Sequence, residues 1–495
     1  MIRRRRFILD RVETMEHTFD VVVAGCGVAG LSAAVTAAER GLKVALLERA
    51  SRADRGGQSR YTEAYLRMKA IDQVSDDFEM HLAENAGVYM DPDLAAEMGQ
   101  GRESWSHVTR ALGVPDPELI GNFADHVPGT IAWLQTLGVK FDFLPTQFLT
   151  KTQPRLLPVG GGEALVEALA ARAEKLGVTF FYHTTARRLI LDDRGTVQGL
   201  LAQHAEDGGV RFKGKVVLAC GGFEGNPALM AKYIGPRSVY LRPVCKGGYF
   251  NRGEGIEMAL EAGAAPSGEF GSYHAEPVDP RSGVSEPSIF IFPYGILVNK
   301  AGQRFTDEAP GTVDAYYERV TRRIYEQEQG IAYVILDQRV KEVPNYRLAI
   351  RTDQPAIEGA TLAELAAKIG LPEGALEATV QQYNAACPAD AGCKALELDG
   401  LVTQGLAPKK SNWSRRIEQG PFIAYPIISS NVFTFGGLKV NPTGQVLDTD
   451  GNPMKNLYAA GETVGMYYTN YTGATSVLKG LVFGRLAAGH IADAR

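Results

Sequence analysis

Residues 19–30 read FDVVVAGCGVAG, a run rich in β-branched residues that passes directly into three spaced glycines. The apolar half is typical of a buried parallel strand that ends in a glycine turn. The residues that follow are apolar at helical spacing up to Gly41, which stands where a helix would end. Residues 43–48 (KVALLE) then predict a second buried strand. The stretch therefore predicts a βαβ unit with a right-handed crossover, one half of a doubly wound sheet.

Each glycine of this turn has a physical role in binding a dinucleotide. Gly25 makes the tight turn, Gly27 lets the backbone approach a pyrophosphate, and Gly30 allows the helix to pack closely on the strand. Glu48 lies 18 residues after Gly30, where a carboxylate can accept hydrogen bonds from a ribose. The same pattern serves NAD and FAD, and a purely structural glycine turn is the alternative. The predicted contacts from this unit are Gly25, Gly27, Val28, Ala29, Gly30, Glu48 and Arg49.

The composition is that of an ordinary globular protein, with 45% hydrophobic and 22% charged residues in 495. This length predicts two lobes, and a net charge of −5 gives no sign of a nucleic-acid partner. The five cysteines include no CxxC pair, so we expect free thiols, no metal site and a reducing compartment. Without 18 consecutive apolar residues the sequence predicts no membrane span, and we expect a cytoplasmic protein.

The N-terminus carries a run of arginines at residues 3–6. An export signal would need an apolar stretch after them, and Asp10, Arg11 and Glu13 interrupt it. We therefore expect residues 1–17 to be a flexible leader, with either Met1 or Met15 as the true start.

Two further apolar runs end in glycine, KVVLACGGF at residues 215–223 and NLYAAGE at residues 456–462. With the first glycine turn they resemble the flavoproteins of the succinate dehydrogenase and fumarate reductase superfamily, over about residues 18–490. Residues 56–59 match that family's GGxS loop, and residues 464–485 match its C-terminal flavin segment. The resemblance implies FAD, held non-covalently because residues 55–68 contain no histidine. It adds these cofactor contacts: Gly56, Gly57, Gln58, Ser59, Gly221, Gly222, Gly461, Glu462, Ser476 and Val477.

The resemblance implies an α/β fold: a doubly wound parallel-sheet FAD-binding domain, like that of glutathione reductase, with an inserted α+β substrate cap. We expect the FAD-binding domain to comprise residues 18–235 and 426–495, and the cap to comprise residues 236–425. Within the cap, the pattern predicts a strand at residues 289–299 and helices at 362–369 and 372–384. The segment Cys387-Pro388 and Gly392 predict a loop after the last helix.

Fumarate reductases grip a dicarboxylate with two arginines and two histidines, and this chain keeps one of the four. His274 matches the first histidine, whereas Thr312 and Tyr471 stand at the two arginine positions and the second histidine is missing from residues 433–437. Two carboxylates desolvated without cations would cost several kcal/mol, which disfavours fumarate as substrate. The pattern Asn470-Tyr471-Thr472-Gly473 instead resembles tricarballylate and 3-ketosteroid dehydrogenases, which oxidise a carbon–carbon single bond next to a carbonyl or carboxyl group.

This resemblance implies that a base removes the proton alpha to the carbonyl while hydride leaves the beta carbon for flavin N5. Tyr471 and nearby backbone N–H groups would stabilise the enolate. The alternatives are an enoate reductase, and an electron-transfer subunit that needs a partner chain. The expected partners are a small carbonyl or carboxylate substrate and an electron acceptor of unknown identity.

Several further side chains are candidates for the substrate site, and each has a plain structural alternative. The base candidates are Tyr316, Tyr317 and His274; the two tyrosines could equally be core or surface aromatics. Arg60 and Arg67 could pair with a substrate carboxylate or with acidic side chains of the protein. Phe433 and Gly473 complete the predicted substrate contacts.

Overall fold

The computed structural model describes residues 15–84, 91–143, 155–388 and 394–494. The strands of this part of the chain are β1 (Met15–Ala24), β2 (Val44–Leu47), β3 (Met68–Ala70), β4 (Gln73–Val74), β5 (Phe141–Phe143), β6 (Leu156–Pro158), β7 (Thr179–Phe181), β8 (Thr184–Leu191), β9 (Val197–His204), β10 (Gly208–Leu218), β11 (Arg242–Pro243), β12 (Pro266–Ser267), β13 (Tyr273–Val278), β14 (Ile296–Val298), β15 (Ile331–Leu336), β16 (Ile357–Gly359), β17 (Phe422–Thr434), β18 (Gly437–Leu438), β19 (Gln445–Leu447) and β20 (Pro453–Ala459).

The α-helices alternate with these strands along the chain. They are α1 (Val28–Glu39), α2 (Phe78–Glu84), α3 (Pro92–Met98), α4 (His107–Ala111), α5 (Pro117–Thr136), α6 (Gly161–Lys175), α7 (Pro227–Tyr233), α8 (Glu254–Glu261), α9 (Val313–Tyr325), α10 (Leu362–Lys368), α11 (Ala375–Ala386) and α12 (Ser476–Asp493). None of the helices in the described ranges is both long and apolar enough to cross a membrane.

The larger sheet has eight strands, and five of them lie in the order β20-β10-β1-β2-β7, each parallel to its neighbours within this row. β19 extends this row beyond β20, and β8 and β9 continue from β10 as antiparallel strands. From β1 the chain builds outward to β2 on one side and later to β10 on the other. The loop after β1 therefore lies at the switch point of a doubly wound sheet, the place where such sheets bind ligands.

The register of this sheet brings three chain segments together. Ala24 is paired with Leu218, and Leu218 with Ala459, so β1, β10 and β20 end side by side. The glycine turns predicted from the sequence follow these three strand ends. Helix α1 packs against α6 and α12 beside the sheet, and a methyl group at Gly484 would lie 2.2 Å from Ser32 Oγ, which shows how closely α1 and α12 approach. The predicted α/β architecture is thus confirmed.

A second, mixed sheet forms the inserted part of the chain. β17 is its central strand, and it pairs with β11, β13, β15 and β16, while β14 continues from β15. Two apolar clusters cover this sheet, one with α9 and one with α10 and α11. Helices α10 and α11 occur close to the positions predicted from the sequence. The expected domain boundary at residues 425 and 426 falls inside β17, which runs from the cap sheet towards the strand ends of the larger sheet.

Two other sequence expectations change. The first strand begins at Met15, because residues 15–18 pair with β10, so residues 15–17 are strand and not leader; residues 1–14 lie outside the described part. The strand expected at residues 289–299 is only Ile296–Val298, because a 3-10 turn at Phe292–Tyr294 containing Pro293 interrupts the apolar run. Of the loop after α11, residues 389–393 also lie outside the described residues.

Candidate active site

A deep cleft opens at the carboxyl ends of β1, β10 and β20. Every cofactor contact predicted from the sequence lines this cleft except Gly30 and Gly222. Those two glycines instead allow close packing. A methyl group at Gly30 would lie 1.9 Å from the carbonyl oxygen of Gly25, and one at Gly222 would lie 2.1 Å from oxygens of Glu462 and Thr434.

The β1–α1 turn has the geometry of a phosphate-binding loop. Gly25 has φ +106°, and a methyl group there would lie 2.1 Å from the carbonyl oxygen of Ala219. Gly27 is the N-cap of α1 and has no side chain to cap the helix, so the first N–H groups of α1 are left for another acceptor. One of them, the N–H of Val28, donates to Ser59 Oγ at 3.3 Å. The turn thus offers backbone donors and the positive end of a helix to an anion.

Glu48 lies just beyond β2, beside this turn. Its carboxylate accepts hydrogen bonds from the N–H groups of Cys26 at 3.0 Å and Ala50 at 2.8 Å. Burial raises the pKa of Glu48, and these two hydrogen bonds oppose the rise. The carboxylate is therefore held in one orientation, with lone pairs remaining for the hydroxyls of a ribose.

The loop at residues 56–59 closes one side of the cleft. Gly56 has φ +114° and packs against Val166 of α6, and Gln58 Nε2 donates to the carbonyl oxygen of Val432 in β17. Gln58 Oε1 also accepts a 2.5 Å hydrogen bond from Cys245 Sγ. These contacts tie the loop to the cap side of the molecule, as expected of a segment beside an isoalloxazine ring.

The opposite side of the cleft contains two buried carboxyl groups. Glu462 accepts a 2.8 Å hydrogen bond from the Thr434 N–H, and the Asn251 amide donates to Glu224 at 2.6 Å and to Glu462 at 3.3 Å. Burial and the neighbouring Glu462 raise the pKa of Glu224 well above its ordinary value. Near Glu462, Lys479 is buried and donates to the Val464 carbonyl at 2.8 Å; burial lowers its pKa to about 7.

Asn251 and Lys479 line the cleft but were not predicted. Asn251 follows a 3-10 segment before α8 that no sequence motif marks, whereas Lys479 lies in the C-terminal flavin segment, one turn into α12, and could have been found there. The residues present fit FAD: an uncapped helix N-terminus for the pyrophosphate, a fixed carboxylate for the ribose, and glycines where side chains would collide. The protein would hold FAD through these groups, and FAD would supply hydride acceptance and donation.

A second cavity adjoins the cleft and contains most of the predicted substrate residues. Six residues line both, namely Thr62, Glu286, Val432, Phe433, Ser476 and Val477. His274, Tyr316, Tyr317, Tyr471, Arg67 and Gly473 also line the second cavity. A molecule bound there would therefore reach the cleft near Phe433, whose ring centroid lies 5.3 Å from that of His274.

His274 and Tyr317 form a hydrogen-bonded pair. His274 Nε2 lies 2.6 Å from the Tyr317 hydroxyl, and its other ring nitrogen, Nδ1, is buried without a partner among the described residues. Burial lowers the pKa of His274 to about 3 and raises the pKa of Tyr317 well above its ordinary value. Both side chains are therefore uncharged at neutral pH, and Nδ1 is free to contact a substrate.

Tyr471 differs from the sequence prediction. Its ring lines the cavity, but its hydroxyl accepts hydrogen bonds from the N–H groups of Thr475 and Ser476, each at 3.1 Å, and donates to Ser476 Oγ at 3.0 Å. The hydroxyl thus caps the start of α12 and all its hydrogen-bonding positions are used. In this structure no hydrogen-bonding position of the hydroxyl is left for a substrate carbonyl.

The two predicted arginines occupy different environments. Arg60 lines neither cavity, because its guanidinium pairs with Glu163 at 2.5 Å and Glu167 at 2.6 Å on α6. In this structure Arg60 therefore contacts α6 and neither cavity, and its contact with substrate stays a prediction. Arg67 lines the second cavity, but Asp77 accepts two of its hydrogen bonds, at 2.5 and 3.1 Å, so its charge is already compensated.

The second cavity also contains two charged residues that the sequence did not indicate. Among the described residues, Arg155 Nη1 and Asp314 Oδ1 are both buried without a hydrogen-bond partner, so together with His274 Nδ1 three residues that line this cavity each have an unsatisfied polar atom. Burial raises the pKa of Asp314, and the nearby Arg155 opposes the rise. Buried polar groups are rarely left unpaired, so three in one cavity mark a site built to bind a polar ligand.

Comparisons with known proteins agree with this geometry. A family model described as an FAD binding domain matches residues 20–478. Vinyl phenol reductase of Lactiplantibacillus plantarum is 28% identical over 90% of this chain and 89% of its own length. The 4-oxocyclohexanecarboxylate 2-dehydrogenase of Sinomonas cyclohexanicum is 30% identical over 97% of this chain and 95% of its own length.

A solved structure shows the same architecture over almost all of both chains. The 3-ketosteroid-Δ4-(5α)-dehydrogenase of Rhodococcus jostii RHA1, in complex with 4-androstene-3,17-dione, superimposes with a TM-score of 0.66 at 25% identity. That alignment covers 97% of this chain and 98% of the other. The chain therefore belongs to the FAD-binding flavoprotein family of succinate dehydrogenase and fumarate reductase, and it is an FAD-dependent oxidoreductase.

Proposed function

We propose that this protein is a dehydrogenase that forms a carbon–carbon double bond alpha,beta to a carbonyl or carboxyl group of a small molecule. The substrate would be a small ketone, a keto acid such as 4-oxocyclohexanecarboxylate, or a polycarboxylate such as tricarballylate. FAD, held non-covalently, would accept the hydride at N5.

The observation that carries this proposal is the cavity beside the cleft, three of whose lining residues have a buried polar atom without a partner in the described part of the chain. An acceptor or donor on the substrate would satisfy each of them, and the shared lining at Phe433 would place the reacting carbons next to the flavin. The 30% sequence identity to 4-oxocyclohexanecarboxylate 2-dehydrogenase supports the same class of reaction.

The His274–Tyr317 pair is suited to polarise the substrate carbonyl. If the Tyr317 hydroxyl donates to Nε2, the proton of the neutral imidazole resides on Nδ1, which then donates to the cavity. A neutral imidazole is a good partner for an enolate oxygen, because it stabilises the developing charge without having to be protonated first. In this assignment His274 performs the role that the sequence suggested for the Tyr471 hydroxyl.

The proton alpha to the carbonyl would be removed by a group on α9. Asp314 and Tyr316 both line the cavity, and Asp314 has an unpaired carboxylate oxygen in it. Burial raises the pKa of Asp314 towards the working pH, which strengthens a carboxylate as a general base. We therefore propose Asp314 as the base, with Tyr316 as the alternative.

The second candidate function is the reverse reaction, reduction of an activated double bond. The similarity to vinyl phenol reductase over most of both chains favours it. The same residues serve in either direction, because the group that removes a proton in one direction returns it in the other. The direction then depends on which electron donor or acceptor the protein meets.

One experiment tests both readings. The purified holoenzyme would be mixed without oxygen with a panel of cyclic ketones, keto acids, tricarboxylates and their unsaturated counterparts, while flavin absorbance is followed. Bleaching by a saturated compound supports dehydrogenation, and reoxidation of dye-reduced flavin by an unsaturated compound supports reduction. A holoenzyme whose flavin responds to no member of either set would refute the proposal and favour a subunit that depends on a partner chain.

A further inference from the structure

We propose that the substrate carries a carboxylate and that Arg155 binds it. This inference rests on the proposed function, since it names a feature of the molecule that the same cavity would accept. It moves the anion-binding role from Arg60 and Arg67 to an arginine that no sequence motif marks.

Two arginines of the cavity have no ion-pair partner among the described residues: Arg319, which is exposed, and Arg155, which is half-buried. The Arg155 guanidinium makes no hydrogen bond and no ion pair with any residue in the described ranges, and Nη1 is buried. Asp314 is close enough to interact electrostatically, but the two side chains do not form an ion pair. A guanidinium with a buried nitrogen that lacks an acceptor is costly, so the position of Arg155 is explained if a ligand supplies the missing acceptor.

The other buried cations at this cavity are already neutralised. Arg67 is paired with Asp77 at 2.5 Å, and Arg351 is paired with Glu63 at 2.7 Å and with the Tyr65 hydroxyl at 3.1 Å. Adding a ligand carboxylate to either would mean breaking an existing ion pair. Arg155 needs no such exchange.

Backbone hydrogen bonds near Arg155 hold it in a fixed place beside the segment that contains Tyr471 and Gly473. The next residue, Leu156, donates its N–H to the Leu66 carbonyl oxygen at 3.1 Å. Its own carbonyl oxygen accepts a hydrogen bond from the Leu66 N–H at 2.7 Å. The residue after Leu66 is Arg67, and its N–H donates to the Ala474 carbonyl at 2.8 Å. Arg155 is thus linked through two short backbone contacts to the segment that contains Tyr471 and Gly473.

The charge balance favours a singly charged carboxylate over a phosphate. A guanidinium can present two parallel N–H groups to the two oxygens of a carboxylate, and one negative charge matches one positive charge. A phosphate would bring nearly two negative charges next to Asp314, as well as to the buried Glu276 and Glu286 that line the same cavity. The carboxylate therefore suits this site better.

The test compares charged and uncharged ligands of the same shape. The oxidised holoenzyme would be titrated without oxygen with 4-oxocyclohexanecarboxylate and with its methyl ester, and binding would be read from the shift of the flavin spectrum. The titrations would be repeated with Arg155→Met and Arg155→Lys. Arg60→Met is the matched control, because it removes an arginine that lines neither cavity.

We expect Arg155→Met to weaken binding of the carboxylate about 10- to 100-fold while changing binding of the ester less than about threefold. Arg155→Lys should restore part of the loss, and Arg60→Met should change neither ligand. Equal losses for both ligands, or no loss for the carboxylate, would overturn the proposal, and so would failure of the carboxylate and of tricarballylate to perturb the wild-type flavin spectrum.

The two proposals fail in different ways in this experiment. If the carboxylate binds through Arg155 but never reduces the flavin, the anion site stands and dehydrogenation of that compound does not. If the ester is oxidised as readily as the carboxylate in wild type and in Arg155→Met, dehydrogenation stands and the anion site does not.

Discussion

The hydroxyl of Tyr317 lies 2.6 Å from Nε2 of His274, and both side chains are buried in the wall of the substrate cavity. The two residues come from different elements, α9 and β13, which pack together. If the Tyr317 hydroxyl is the donor in this contact, the proton of the neutral imidazole lies on Nδ1, which the histidine can then offer to a substrate.

Replacing Tyr317 with Phe should impair chemistry more than cofactor binding. Without the hydroxyl, Nε2 of His274 loses its partner and the tautomer with a proton on Nδ1 is no longer favoured. We expect the rate of flavin reduction to fall about 10- to 100-fold at unchanged FAD content. Stopped-flow absorbance and the ratio of flavin to protein measure the two quantities. Tyr346→Phe is the control, because it removes a hydroxyl of the inserted cap domain that contacts Arg347. It should change neither the rate of flavin reduction nor the FAD content.

Tyr471→Phe tests whether its hydroxyl acts on the helix or on the substrate. In this structure the hydroxyl caps α12 directly before Ser476 and Val477, which line the FAD cleft. We therefore expect weaker FAD retention and a loss of about 1 kcal/mol in stability, accompanied by a slower rate. Tyr468→Phe, which removes a buried hydroxyl away from α12, is the control. A slow variant with full FAD content and stability would show instead that the hydroxyl turns to the substrate.

Asp314→Asn tests the assignment of the base. Asn keeps the size of the side chain but cannot accept a proton, so the rate of flavin reduction should fall about 100-fold or more, with ligand binding retained. Tyr316→Phe is the matched comparison on the same helix. If Tyr316→Phe is the slower of the two variants, the base is the tyrosine and Asp314 only adjusts the charge of the cavity.

Gly30→Ala tests the packing that the dinucleotide fold requires. The added methyl would lie 1.9 Å from the Gly25 oxygen, so the turn must shift. We expect a destabilisation of about 1–3 kcal/mol and loss of FAD. Gly129→Ala in α5 is a control, because nothing lies within 4 Å of its added methyl. That variant should be as stable as wild type or slightly more stable, by the helix propensity of alanine.

The burial of His274 predicts a specific dependence of stability on pH. The folded state holds this histidine with its pKa lowered to about 3, whereas the unfolded chain protonates it near its ordinary value. Protons therefore favour unfolding below about pH 6.5, and the stability present at neutral pH is lost as the pH falls. Between pH 7 and 5 this loss is about 2 kcal/mol. Urea unfolding of wild type and His274→Gln at both pH values should show that the variant lacks this part of the loss.

The cofactor site could be predicted from the sequence because its contacts are local. Gly25, Gly27 and Glu48 each act through the turn or strand end where they occur, and the pattern of residues around them determines that local structure. The same holds for Gly461 and Glu462 at the end of β20. Where a prediction failed in detail, as at Met15 or Pro293, strand pairing far along the chain or a single proline determined the result.

The substrate cavity could be predicted only in part, because its charges are assembled over long distances. Arg155 reaches the site through the pairing of Leu156 with Leu66, and nothing in the neighbouring sequence announces that contact. Arg60 lies in a motif beside the flavin, yet α6 brings Glu163 and Glu167 to it and keeps it out of the cavity. Which arginine stays unpaired is decided by the tertiary structure.

β17 runs without interruption for 13 residues, from the centre of the cap sheet to Thr434, whose N–H donates to Glu462 in the FAD cleft. Its partner strands in the cap hold this extended strand along its length, so we expect it to move with the cap as one rigid unit. A rotation of the cap would therefore also displace Phe433, which lies at the end of this strand beside the FAD cleft. Any movement of the cap that admits a substrate or releases a product would then also change the position of the aromatic ring shared by the two cavities.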